Sequence, residues 1–223
     1  GCLRLRFGGW VGVRQVGYRV YGWNGDDNAP LLPARAALDE ICRRRPGVPV
    51  VAIGHSMGGR VAAHLAADRR VIGVLGLAPW WQFADWRHIQ PGARVVAVHG
   101  DADTRTLAKR TRKGIDELSA LGIDAEFIPV PGGGHAMLDH IGLWQRSALD
   151  FVGERLEETA GRDCQESAQA DEARADEAQR AARYGGGWHA GDLPNREPDW
   201  VLQCPVTMER SPGIARPGTP GLA

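Results

Sequence analysis

Val50-Val51-Ala52-Ile53-Gly54-His55-Ser56-Met57-Gly58-Gly59 is the stretch on which the reading of this chain turns. Its first five residues are aliphatic or small, the pattern of a buried strand, and the run then breaks into Gly-x-Ser-x-Gly. Gly59-Arg60-Val61-Ala62-Ala63-His64-Leu65-Ala66 follows with the composition and spacing of a helix. A strand that reverses into a helix within so few residues must hold its central residue in a strained backbone conformation. Glycines two positions to either side, Gly54 and Gly58, remove side chains that such a turn would drive together. Ser56 then stands at the tip with its hydroxyl exposed and the positive end of a helix beneath it. The competing reading is a Gly-rich turn in an ordinary strand-to-helix connection.

A serine nucleophile needs a base, and the base needs an orienting carboxylate. Two further strand patterns downstream carry both. Ala93-Arg94-Val95-Val96-Ala97-Val98-His99 leads into Gly100-Asp101-Ala102-Asp103-Thr104, and Ala125-Glu126-Phe127-Ile128-Pro129-Val130 leads into Pro131-Gly132-Gly133-Gly134-His135. The order Ser, Asp, His, each on a loop after a strand, suits a triad. Both Asp101 and Asp103 compete for the acid.

With those motifs in hand, the chain resembles the α/β-hydrolase superfamily, in particular its small esterase and lipase-like members. The likeness rests on Gly54-His55-Ser56-Met57-Gly58-Gly59, His99-Gly100-Asp101-Ala102-Asp103 and Gly133-Gly134-His135, with Tyr18 to Gly25 similar to the strand and loop before the nucleophile. It covers about residues 13–155. The resemblance implies a mostly parallel sheet with helices on both faces. It also implies catalytic Ser56, Asp103 and His135, with Asp103 preferred because the family's Gly-x-x-Asp falls on it and Asp101 suits a turn. Met57 N–H is the implied oxyanion donor. The expected substrate is a small-molecule ester, thioester or amide with a small or medium acyl group, hydrolysed without metal or organic cofactor.

In this superfamily a cap often follows the strand after the nucleophile. Here Pro79 to Gln90 is too short for one, but Trp80, Trp81, Phe83 and Trp86 can wall an apolar pocket beside His55, or else cover the end of the sheet. His99 reads as a polar strand-end residue and His64 as helix packing.

A second oxyanion donor is expected from a loop after an earlier strand, and residues 1–12 do not supply that strand, loop and helix. Phe7-Gly8-Gly9 only echoes it. Residues 1–12 therefore read as the remnant of a missing amino-terminal part, 13–158 as the hydrolase domain, and 159–223 as a low-complexity tail expected to be disordered. The alternative function is a hydrolase-fold fragment with impaired catalysis or a non-catalytic binding module.

Composition bounds the partners. Lys plus Arg and Asp plus Glu are both 27 in 223 residues, so net charge argues for neither nucleic acid nor an anionic membrane. No apolar run approaches the ~18 residues that span a bilayer. The expected location is the cytoplasm. Elsewhere, alternating patterns predict a strand over Val11–Tyr21, a helix over Pro33–Arg45, a strand over Val71–Ala78 and helices over Thr106–Ala120 and Leu138–Glu157. Beyond these, Arg162 to Arg183 is too polar to bury a face, though Asp176 and Arg180 are spaced to pair on a solvated helix.

Overall fold

The computed structural model describes residues 6–7, 11–18, 22–23, 28–136 and 140–184. Two compact units divide the chain, residues 1–173 and 174–223. Among its described residues the first holds four strands, β1 (Val50–His55), β2 (Val71–Leu77), β3 (Arg94–Gly100) and β4 (Ala125–Val130), paired in sequence order and all parallel. Helix α1 (Leu31–Arg44) precedes β1, α2 (Met57–Leu65) joins β1 to β2, a short 3-10 turn (Asp85–His88) lies between β2 and β3, and α3 (Ala108–Ala120) joins β3 to β4. Helix α4 (Ile141–Tyr184) follows β4.

Side chains that alternate along the strands build a core on each face of the sheet. Val74, Val95 and Ala97 point to one face, where Leu38 of α1, Ala62 and Ala63 of α2, and Ile115 and Leu118 of α3 cover them. Leu75, Leu77, Val96, Val98 and Val130 point to the other, against Phe151 of α4. Consecutive parallel strands with crossovers of one hand leave their connecting helices on one face, so the opposite face must be closed by α4.

Several expectations are corrected. Trp81 and Trp86 are 1% and 4% exposed and belong to the core between α2 and α3, where Trp81 Nε1 donates to the carbonyl of Gly59 at 3.1 Å and Trp86 Nε1 to Glu117 at 2.9 Å. Gly114 of α3 makes room for them, since a Cβ there would lie 2.8 Å from the Trp86 ring. Phe83 is 91% exposed. Trp86 is thus spent on the core and Phe83 on solvent, whereas half-buried Trp80 and the edge of Trp81 line a small cavity with Thr106, Leu107 and Thr111.

The strand expected over Val11–Tyr21 is absent from its described part, since residues 11–18 have no regular structure. Only Val11 and Val16 are partly covered there, which is not the alternate burial of a strand in a sheet. Arg19, Val20 and Tyr21 lie outside the described residues, as do Gly8 and Gly9. Among the described residues β1 pairs on its β2 side only. The closing helix, expected to end at Glu157, runs on to Tyr184 because no proline interrupts a stretch rich in Ala, Glu, Gln and Arg. The expected disorder over 159–223 is thus corrected as far as residue 184, and residues 185–223 lie outside the described residues. In the second unit the described residues 174–180 are exposed, and Arg180 pairs with Asp176 at 2.9 Å.

A buried ionic cluster ties α2 to the segment after β2. Asp85 Oδ1 accepts from Arg60 Nε at 2.9 Å and lies 2.8 Å from His64 Nε2, while Asp85 Oδ2 accepts from the amide of Gln82. His64, expected to be simple packing, is thus a hydrogen-bond partner of Asp85; its ring also stacks on His88. The Asp85→Ala variant leaves Arg60 buried without its counter-charge, so stability should fall by about 3–5 kcal/mol. Urea unfolding monitored by tryptophan fluorescence measures it, and a loss below about 1 kcal/mol would show that the cluster does not anchor the segment.

Candidate active site

Parallel pairing brings the carboxyl ends of all four strands to one edge, and the residues singled out in the sequence sit on the loops that leave it. Ser56 follows β1 with φ 52° and ψ −116°, the strained turn that its position demanded. Its amide donates to the carbonyl of Leu77 at 3.0 Å, and its own carbonyl accepts from Trp80 N at 2.9 Å, so the turn is held on the neighbouring strand. Gly54 is required by space: a Cβ there would fall 2.1 Å from the carbonyl oxygen of Gly58. Gly58 differs from expectation, since a Cβ on it would meet nothing nearer than the Tyr18 hydroxyl at 3.8 Å. The second tight glycine is Gly59, whose added Cβ would lie 2.6 Å from Pro79.

The loops after β3 and β4 are laced together. The carbonyl of Gly133 accepts from Ala102 N at 3.1 Å and passes so close to Gly100 that a Cβ there would be 2.0 Å from it. Asp101 Oδ1 accepts from Gly132 N at 2.7 Å, which makes it a brace between the loops. This lacing carries His135 to Asp103. His135 Nε2 is 3.0 Å from Ser56 Oγ, and His135 Nδ1 is 2.8 Å from Asp103 Oδ2. Met57 opens α2, so its amide is one of the first-turn N–H groups that the helix itself does not use.

Asp103 has a fully buried side chain. Burial alone would raise its proton affinity, but hydrogen bonds from Thr106 and His135, and from the amides of Thr106 and Arg105, outweigh it and hold the carboxyl well below the usual range. Thr106 Oγ1 donates to Oδ2 at 2.6 Å, and the amides of Arg105 and Thr106 donate to Oδ1 at 2.8 and 3.0 Å. Thr106 is not among the residues expected at the site, and His99, expected only as a strand-end residue, places Nε2 3.0 Å from Asp103 Oδ2. A threonine three residues after the acid was the available signal, because that spacing lets one side chain cap the other's turn. His55, expected beside a substrate pocket, donates from Nε2 to the carbonyl of His135 at 3.0 Å and packs its ring against Trp144. Among the described residues no group of three or more His, Cys, Asp or Glu side chains is placed to hold a metal ion, and no helix is long and apolar enough to cross a membrane.

No family model and no curated protein matches the chain. Solved structures do. A protein of unknown function from Agrobacterium tumefaciens is 20% identical with a TM-score of 0.53, covering 65% of this chain and 67% of that one. An α/β serine hydrolase without a lid from Xanthomonas campestris is 20% identical with a TM-score of 0.52, covering 63% of each chain. An α/β serine hydrolase homologue from Coxiella burnetii is 17% identical with a TM-score of 0.50, covering 61% of this chain and 64% of that one. The chain has the α/β-hydrolase fold, and it spans about two thirds of the length of these proteins.

Two outcomes follow from this geometry. Gly100→Ala must push the two loops apart, and a displacement near 1 Å at the Asp103–His135 contact should lower the rate of Ser56 modification by about 10²-fold; an unchanged rate would mean that the lacing does not position His135. Burial holds both His55 and His99 below the ordinary histidine value. The unfolded chain then binds protons that the folded chain refuses, so stability is full above about pH 6.5 and declines as pH falls below it. Urea unfolding at pH 7.5 and 5.5 should give the lower free energy at pH 5.5.

Proposed function

We propose that this chain is a serine hydrolase that cleaves a small or medium acyl ester, or a related thioester or amide, through Ser56, His135 and Asp103. The observation that carries the reading is the continuous path from Ser56 Oγ through both nitrogens of His135 to a buried carboxylate, at 3.0 and 2.8 Å, with the serine on a strained turn. His135 Nε2 takes the hydroxyl proton as Ser56 Oγ attacks the acyl carbon. Asp103 keeps Nδ1 protonated and stabilises the imidazolium; its low proton affinity leaves the proton on His135. Met57 N–H receives the developing oxyanion. His135 returns the proton to the leaving group, then activates the water that releases the acid. The short segment after β2, and the lidless relative from Xanthomonas campestris, support an open site.

A second reading keeps the scaffold without efficient turnover. It is favoured by the single oxyanion donor identified among the described residues, since losing one donor costs about 10²–10³ in turnover. A fluorophosphonate probe separates the two, because only an activated serine displaces its fluoride. Labelling should be confined to Ser56, absent in Ser56→Ala and slowed by about 10⁴-fold in Asp103→Asn. An unlabelled parent protein would sink the enzyme reading; labelling without hydrolysis of a chromogenic short-chain ester would favour the second.

A further inference from the structure

His99 is the last side chain of β3 before Gly100, wholly buried, and it takes no part in the proton transfers between Ser56 and His135. Its surroundings settle where its proton sits. Nε2 lies 3.0 Å from Asp103 Oδ2 and 2.9 Å from the carbonyl of Thr106, two groups that can only accept. Thr106 Oγ1 is also near, at 3.3 Å, but its one hydrogen is directed to Asp103 Oδ2 at 2.6 Å. Nε2 must therefore carry the hydrogen. Nδ1 is 2.8 Å from Thr111 Oγ1, and burial holds the ring towards its neutral form, so Nδ1 accepts from the Thr111 hydroxyl.

Three donors thus share one oxygen. Asp103 Oδ2 receives Thr106 Oγ1, His135 Nδ1 and His99 Nε2, while Oδ1 receives two main-chain amides. Each donor withdraws charge that the carboxylate would otherwise turn on His135.

We propose that His99 is a positioning residue for Asp103: a second imidazole, fixed as the Nε2–H tautomer by the acceptors at Nε2 with Thr111 bonded to Nδ1, that holds the carboxylate and sets the pH at which His135 becomes a base. This rests on the serine-hydrolase reading. His99 transfers no proton. Among the described residues the other titratable or charged groups facing the pair are His55 from β1, bonded to the carbonyl of His135, and Arg105 on the acid loop, which contributes its amide. Removing the His99 donor leaves Thr106 and the amides to hold the carboxylate, returns charge to Oδ2 and stabilises the His135 imidazolium.

The test is the proton titration of His135, followed by NMR in the full chain, together with the pH dependence of fluorophosphonate labelling. His99→Met removes the donor at similar volume, whereas His99→Gln keeps an N–H within reach. His99→Met should move both midpoints up by about 0.5–1 pH unit, and His99→Gln should return them to within about 0.2 unit of the parent. Equal shifts in the two variants, or none in His99→Met, would overturn the proposal. Ring-nitrogen NMR of the parent protects the test against a variant that does not fold: neutral His99 should carry its hydrogen on Nε2, and hydrogen on Nδ1 would overturn the lock. A parent that never labels at Ser56 defeats the hydrolase reading, while the NMR titration still decides whether His99 tunes His135.

Discussion

Parallel pairing of four strands in sequence order is the constraint on which the rest depends. Because every strand runs the same way, each must be followed by a crossover, and every crossover begins at the same edge of the sheet. The turn at Ser56, the Ala78–Gln82 segment, the Asp103 loop and the His135 loop therefore leave from one line of backbone. Residues 79 positions apart meet at 3.0 Å without any long loop reaching across the molecule.

Close approach does the finer positioning. Gly54, Gly59 and Gly100 each stand where a Cβ would overlap another backbone or proline atom, at 2.1, 2.6 and 2.0 Å. These contacts bring α2 down onto β1, the Pro79 segment onto α2, and the acid loop onto the histidine loop. The buried Arg60–Asp85 pair then fixes that segment from below, at the cost of removing two charges from water. Around Asp103 the same cost is offset by five hydrogen-bond donors, and a carboxylate so satisfied keeps its charge in the interior.

The aromatics after β2 illustrate how composition and placement differ. Four such residues in seven suggest an apolar wall, but their side chains leave in different directions. Trp81 and Trp86 turn inward to fill the space between α2 and α3, and Phe83 turns out to solvent on a left-handed backbone. Neither periodicity nor hydrophobicity assigns direction in an irregular segment, because direction there follows backbone angles that only the packed chain sets.

The strands and most helices were legible in the chain because each carries its own local signal: aliphatic runs for β1 to β4, helical spacing for α1 to α3, and glycines at the sharp turns. Gly-x-Ser-x-Gly, Gly-x-x-Asp and Gly-Gly-His marked three loops in the right order, and the fold follows from them. What the sequence alone left open were relations between distant positions. Whether Asp101 or Asp103 meets His135 depends on lacing between two loops, which brings Asp103 Oδ2 to 2.8 Å and turns Asp101 to the amide of Gly132. The roles of His99, Thr106 and Thr111 around that carboxylate, and of Asp85 beneath α2, have no strong local signature. A hydrogen bond between residues far apart in the chain is decided by three-dimensional register, and that exists only once the sheet has paired.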